Sequence, residues 1–208
     1  MKVRELTFAV CAGLLVAGAA AAQDAKPADK KPAERVMSAE EKAMMEAWAK
    51  YATPGEGHRS LAGMVGTWDA EVTSWMTPGQ PPVTSKGTSE NRMVLGGRWV
   101  ESKFTSEMMG QPFEGLGYTG YDNYKKKYVG TWADNMSTAV MVSEGTFDAA
   151  GKVMTSWSTM DDPTTGKASK VKMVTTLVDP DHHLFEMWAP GPDGKDYKNM
   201  EIHYRRRK

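Results

Sequence analysis

The residues best suited to acid–base or metal chemistry in this chain are four histidines, His58, His182, His183 and His203. His182 and His183 are adjacent, so on a strand their side chains point to opposite faces and cannot share one metal ion. A hairpin turn around Gly191 would bring His203 beside one of them on the partner strand. Glu201 or Glu186 could then complete a minimal two-histidine, one-carboxylate site. No ligand-spacing motif accompanies these residues, and the polar outer face of a hairpin explains them equally, so no metal ligand is assigned.

Sixteen methionines form a second group, with Met141, Met154, Met173, Met187 and Met200 spread over successive predicted strands. Thioethers can hold Cu(I) or line an adaptable pocket, but methionine is foremost a filler of irregular cores. Large aromatic residues form the third. The stretch from Gly115 to Asp134 reads as two strands joined by a polar turn at Asp122-Asn123, and it carries Tyr118, Tyr121, Tyr128 and Trp132. With Trp99 and Trp157 on neighbouring strands, these rings are the candidate ligand-binding residues. Arg92 and Arg98 join them as partners for an anionic head group. Gly115, Gly117 and Gly120 clear one strand of side chains, which suits either a sharply curved wall or the close approach of another group.

Catalytic signatures are missing. There is no nucleophile elbow, no phosphate loop, no His-Glu-x-x-His and no supported pair of carboxylates, so no catalytic residue and no cofactor is assigned. The 26 basic and 26 acidic residues cancel. Nucleic-acid partners are not implied, since those need a basic excess to neutralise phosphates.

The elements that position these residues are expected to be strands. Turn signals recur steadily after Gly66, from Thr77-Pro78-Gly79 to Asp193-Gly194, and the segments between them are rich in Val, Thr, Tyr, Trp and Met. Val171 to Leu177 alternates as a strand with one buried face should. The count is about ten strands, and the short connections require antiparallel neighbours. The fold class is therefore all-β, an up-and-down antiparallel barrel of about ten strands, because closure removes exposed sheet edges. One helix precedes it, from about Ala39 to Tyr51. Ser38 caps it, Met44, Met45, Trp48 and Tyr51 form its apolar stripe, and Thr53-Pro54-Gly55 ends it. Such a helix usually covers core, so it is expected to pack across one end of the sheet; a lid or partner-binding helix is the sharper alternative.

The first residues read as an address. Met1-Lys-Val-Arg4 is basic, Leu6 to Ala21 is apolar, and Ala20-Ala21-Ala22 fits a signal-peptidase site. Residues 1–22 are thus expected to be a cleaved signal peptide, 23–37 a disordered linker, 38–57 the amphipathic helix with its connection, and 58–208 the barrel. No transmembrane span would remain after cleavage, and the mature protein would be periplasmic or secreted. The only cysteine, Cys11, lies in that leader, so the mature chain has no thiol chemistry.

The order helix, Gly66-Thr67-Trp68, then a meander resembles the lipocalin and fatty-acid-binding (calycin) group. That resemblance implies that Trp68 packs under a basic residue after the last strand, Arg205 or Arg206. A closer resemblance spans about Leu61 to Arg206, to the bacterial domain-of-unknown-function family numbered 1579. It is carried by Gly66-Thr-Trp68, Leu95-Gly-Gly-Arg-Trp99, Gly117-Tyr-Thr-Gly-Tyr-Asp122, Lys127-Tyr-Val-Gly-Thr-Trp132 with Asp134, and Asp193-Gly-Lys195. It implies a lipocalin-like barrel and brings no activity or site residue. The expectation is an exported barrel that binds a small apolar or amphipathic molecule at a mouth lined by aromatics and methionines. An enzyme on the same barrel and a filled, partner-binding module are the alternatives. The contents of the barrel discriminate among the three, and the sequence leaves the oligomeric state open.

Overall fold

The computed structural model describes residues 36–163 and 165–208. The signal-peptide expectation, and all but the end of the linker, lie outside the described residues. Helix α1 (Ala39–Ala52) and a short helix α2 (Glu56–Arg59) lead through a 3-10 turn (Ser60–Met64) into ten strands. These are β1 (Gly66–Ser74), β2 (Val83–Val94), β3 (Trp99–Met108), β4 (Gln111–Asp122), β5 (Lys127–Asp134), β6 (Met141–Phe147), β7 (Val153–Asp162), β8 (Lys167–Asp179), β9 (His182–Pro190) and β10 (Asp196–Arg206). Each strand pairs antiparallel with the next, and β1 pairs with β10, so the sheet closes as an up-and-down barrel. The fold class is as the turn spacing requires.

Because side chains alternate along a strand, the register identifies the inner face. One inward row runs Trp68, Ser89, Phe104, Gly115 and Asp134 across β1 to β5. A second runs Gly66, Asn91, Ser102, Gly117, Trp132 and Met141 across β1 to β6. On the far side, Leu177, His183 and Tyr204 share one inward row across β8 to β10, and Thr175, Phe185 and Ile202 share the next. Ala70, Val72, Phe104 and Ile202 form the buried cluster, against which Phe113, Trp132, Phe185, Met200 and Tyr204 pack. Burying each large side chain there stabilises the fold by roughly 1.5–3 kcal/mol.

Gly115 makes room for one of these rings. A Cβ at that position would lie 2.1 Å from the Trp132 ring. Gly115→Ala is therefore expected to destabilise by about 1–3 kcal/mol, as overpacked cores do. A urea midpoint unchanged from the wild-type value would show instead that Trp132 moves aside freely.

One end of the barrel is closed. Leu61 (0% exposed) and His58 (5%), from the 3-10 turn and α2, are buried there. The packing expected of α1 is corrected. None of its residues is buried, and its apolar stripe faces outward, with Trp48 62% exposed. The barrel end beside it is already plugged by α2 and the 3-10 turn. Its last turn is tied to the barrel, where Arg98 Nη2 donates to the Ala52 carbonyl (2.6 Å) and Asn123 Nδ2 to the Tyr51 carbonyl (2.9 Å).

Candidate functional site

The closed end is held by a basic clamp over a tryptophan. Trp68 is 1% exposed, and its Nε1 donates to the Met64 carbonyl at 2.9 Å. The Arg206 guanidinium lies 4.1 Å above its ring. Arg206 Nη1 donates to the Val65 carbonyl (2.6 Å), and Nη2 to the carbonyls of Gly63 and Pro180 (3.0 Å each). This guanidinium stitches the start of β1 to the β8–β9 turn as a planar fork can and an ammonium cannot. It also explains Gly66, whose φ is +131° and where a Cβ would lie 2.5 Å from Arg206 Nη1. Of the two arginines the calycin resemblance offered, Arg206 takes the role. Arg205 pairs in register with Asp69 and His182 on the outer face.

Beneath the clamp is a cavity of about 130 Å³. Its polar wall carries Ser89, Asn91, Ser102, Thr119, Thr175 and the rings of His183 and Tyr204; Phe104, Trp132 and Phe185 form the apolar wall. Ser89 donates to Asn91 Oδ1 (2.8 Å), and Asn91 Nδ2 to the Met64 carbonyl (2.9 Å), which braces the roof. His183 sits edge-on to Trp68 (centroids 4.4 Å apart) and stacks on Tyr204 (4.5 Å). Burial, helped by the positive potential of His182 and Arg206, pushes its imidazole down to about 4, so it is neutral at pH 7. Burial also holds the Tyr204 phenol protonated, well above its ordinary range. The chamber is thus uncharged at neutral pH. It offers hydroxyl, imidazole and amide groups on one side and aromatic faces on the other.

A second hollow, about 240 Å³, lies where α1 meets the rim and is lined by Tyr51, His58, Arg98, Trp99, Tyr121 and Asn123. It is roomier, but its polar atoms serve the fold. Arg98 also donates to the Leu95 carbonyl (3.2 Å), Asn123 to the Thr53 carbonyl (2.8 Å), and His58 Nδ1 accepts from the Gly55 amide (3.0 Å). Desolvation, with the Arg98 charge as a lesser cause, keeps the His58 imidazole below its usual value.

The candidate ligand-binding residues separate by face. Tyr121, Tyr128 and Trp132 point inward. Tyr121 and Tyr128 pack edge-to-face (5.0 Å), and Tyr128 also meets Ser60 Oγ (2.6 Å) under the closed end. Trp132 alone reaches the chamber. Trp99, Tyr118, Trp157 and Arg92 lie on the outer face. Trp99 covers Gly120, with a Cβ there only 2.6 Å from its ring. Tyr118 Oη and Arg92 Nε both bond to Glu101 (2.8 and 2.6 Å), and Lys170 caps Trp157 at 4.2 Å. Arg98 holds the helix end. The barrel therefore does not gather these eight residues into one site. His183 and Tyr204, with Ser89, Asn91, Ser102 and Thr175, were not among them. The signal for His183 was its adjacency to His182, which obliges one of the two to face inward. Ser89, Asn91 and Ser102 look like solvent-facing polar residues because the chamber wall is polar, whereas Thr175 shares the buried-face parity of Val171, Met173 and Leu177.

Among the described residues, no group of three or more His, Cys, Asp or Glu side chains is placed to hold a metal ion. No helix among them is long and apolar enough to cross a membrane.

No curated protein matches the chain. Among solved structures it is similar to the crystal structure of Rv2717c from M. tuberculosis. The two are 12% identical over 75% of this chain and 100% of that one, with a TM-score of 0.55, which reflects a shared barrel. A redesigned β-barrel is 17% identical over 72% of this chain and 96% of its own, at a TM-score of 0.39. The family model described as "Protein of unknown function (DUF1579)" matches residues 53–206, from the end of α1 to the clamp arginine. The chain belongs to the DUF1579 family.

Proposed function

We propose that this protein holds a small, uncharged, amphipathic molecule in the closed half of its barrel. The observation that carries the proposal is the chamber itself. It is a hollow of about 130 Å³ with hydrogen-bonding groups facing aromatic rings and no formal charge at neutral pH. Filling that wall with apolar side chains would have been the simpler way to stabilise the barrel, since buried polar groups cost free energy when they lack partners. Its size is close to that of engineered cavities of about 150 Å³ that admit benzene. The ligand class is therefore a single ring or short chain with one or two hydroxyl or carbonyl groups. An anionic head group is disfavoured, because Arg92 and Arg98 both point elsewhere. An acid–base enzyme is also less well supported: an imidazole pushed down to about 4 is a weak base at pH 7.

The route in would be the far end of the barrel, whose loops expose Met76 (72%) and Met109 (77%). Methionine suits such a rim because it adapts to varied apolar surfaces. We also propose that the protein acts outside the cytoplasm, supported by the basic start and the apolar run before Ala22.

Phenol, one ring with one hydroxyl, is the probe. Titration of the full chain is expected to give saturable changes in tryptophan fluorescence, lost in Ser102→Leu, which fills the chamber. Equal responses in both proteins would place binding elsewhere and sink the proposal. Native mass spectrometry of protein from the cell envelope of its own host tests carriage and export together. A chain beginning at Gln23 with a small non-covalent adduct is expected; a full-length apo chain would overturn both.

A further inference from the structure

On the outer wall, β9 and β10 place two histidines and a carboxylate in a chain. His182 Nε2 lies 3.2 Å from His203 Nδ1, and their rings are within 21° of parallel. On the far side of the His203 ring, Nε2 lies 3.0 Å from Glu201 Oε1. The other Glu201 oxygen accepts from Lys198 Nζ, which also reaches Glu186 at 3.1 Å. The lysine thus fixes the carboxylate, and the carboxylate fixes the ring.

The tautomers follow from this chain. A carboxylate held by an ammonium accepts hydrogen bonds and donates none, so His203 carries its proton on Nε2. Its Nδ1 therefore presents a lone pair toward His182. In the metal-free protein His182 Nε2–H donates to that lone pair. Moving the His182 proton to its own Nδ1 leaves two facing lone pairs without loss of a proton to solvent, and an ion bound to both nitrogens would sit to one side of the line between them, toward which the rings turn. Two imidazole nitrogens bound to one ion at about 2.0–2.1 Å stand roughly 2.9–3.4 Å apart for angles between square and tetrahedral. The observed separation falls inside that range.

We propose that His182 and His203 chelate a divalent transition-metal ion, Cu(II) by preference and Zn(II) more weakly, on the outer face of β9–β10. Glu201 is the positioning residue behind His203, in the carboxylate–histidine–metal arrangement that orients ligating imidazoles and raises their basicity. The preference follows from the imidazole donors and the order of divalent affinities. The remaining coordination positions are open to water. Glu71 stands opposite His203 in the β1–β10 register, on the same face, and offers an oxygen ligand from the neighbouring strand. The site is distinct from the inner chamber, because adjacent residues His182 and His183 face opposite sides of the wall.

The test is Cu(II) and Zn(II) titration of the untagged full chain against a competing chelator. Wild type is compared with His182→Gln, His203→Gln and Glu201→Gln. All three positions are on the outer wall, and unchanged circular dichroism verifies folding in each. Wild type is expected to bind one ion per chain, Cu(II) more tightly than Zn(II). Either histidine variant should lose at least tenfold in affinity, and Glu201→Gln between tenfold and a hundredfold. Paramagnetic Cu(II) should broaden the ring signals of His182 and His203 before those of His58 and His183. Isotherms indistinguishable between wild type and His203→Gln would overturn the proposal, as would saturable broadening confined to other residues or no binding at all. An unaltered Glu201→Gln beside weakened histidine variants would retain the chelate and remove the role given to Glu201.

Discussion

Trp68→Ala is expected to lower the unfolding free energy by about 3–5 kcal/mol, the cost of truncating a fully buried tryptophan. Three losses coincide at this ring. The Met64 carbonyl loses the indole N–H that it accepts at 2.9 Å. The Arg206 guanidinium loses the face it covers at 4.1 Å, and His183 the edge contact at 4.4 Å. The hole left behind adjoins the existing chamber, so surrounding side chains cannot simply collapse into it. Urea unfolding followed by far-ultraviolet circular dichroism measures the effect without relying on the removed fluorophore. A loss below about 1 kcal/mol would mean that the backbone hydrogen bonds of Arg206 close the barrel unaided.

Acidification from pH 7 is expected to weaken the fold through a buried histidine. The His183 imidazole is pushed down to about 4 in the folded protein, against 6.5 as its ordinary value. A group whose folded value is depressed gives its stabilisation in full above the unfolded value and loses it as pH falls toward the folded one. Between pH 7 and pH 4.5 the chain should therefore lose about 2–3 kcal/mol at this residue. His58, also lowered by burial, adds a loss of the same sign. His183→Phe keeps a ring against Trp68 and Tyr204 but cannot be protonated. Its urea midpoint should fall less steeply over the same interval, leaving the His58 contribution. Parallel pH profiles for the two proteins would exclude His183 as the source. Asp69, Glu101 and Glu144, all held low by cationic partners, lose stabilisation by the same rule as pH nears their ordinary values of 3.8, 4.5 and 4.5, but they do so equally in both proteins, so the comparison isolates His183.

The architecture was legible because each cue was local and physical. Gly and Asp at turn positions set the strand count, and the lack of helices between strands forced antiparallel pairing and closure. The clamp was implied by the calycin resemblance carried by Gly66-Thr67-Trp68, and choosing Arg206 over Arg205 required the register that pairs it with Trp68. The site was less legible, since it depends on parity. Tyr118 and Tyr121 are three residues apart on one strand and must face opposite ways, so treating all six rings as one set could not hold. The polar half of the chamber was hidden for a different reason. Ser89, Asn91 and Ser102 look like solvent-facing residues, and only their register opposite Trp68 and Trp132 reveals them as interior. Helix α1 misled because its apolar stripe implies a covering role that its contacts do not bear out. The wall histidines were foreseen as possible neighbours across a hairpin; that their ring nitrogens face each other depends on side-chain rotamers that no spacing encodes.

The clamp also says something about when this protein can become itself. Arg206 reaches the Val65 carbonyl across 141 positions of sequence, and β1 finds its second partner only in β10. A chain emerging from the ribosome can build hairpins as it goes, but until its last strand is made it has two raw edges and an unroofed interior. Contacts this distant in sequence fold slowly, because loop closure must precede any reward from the contact. Closure is therefore a single late event, in which edge protection, roofing of the chamber and burial of Trp68 all arrive with β10.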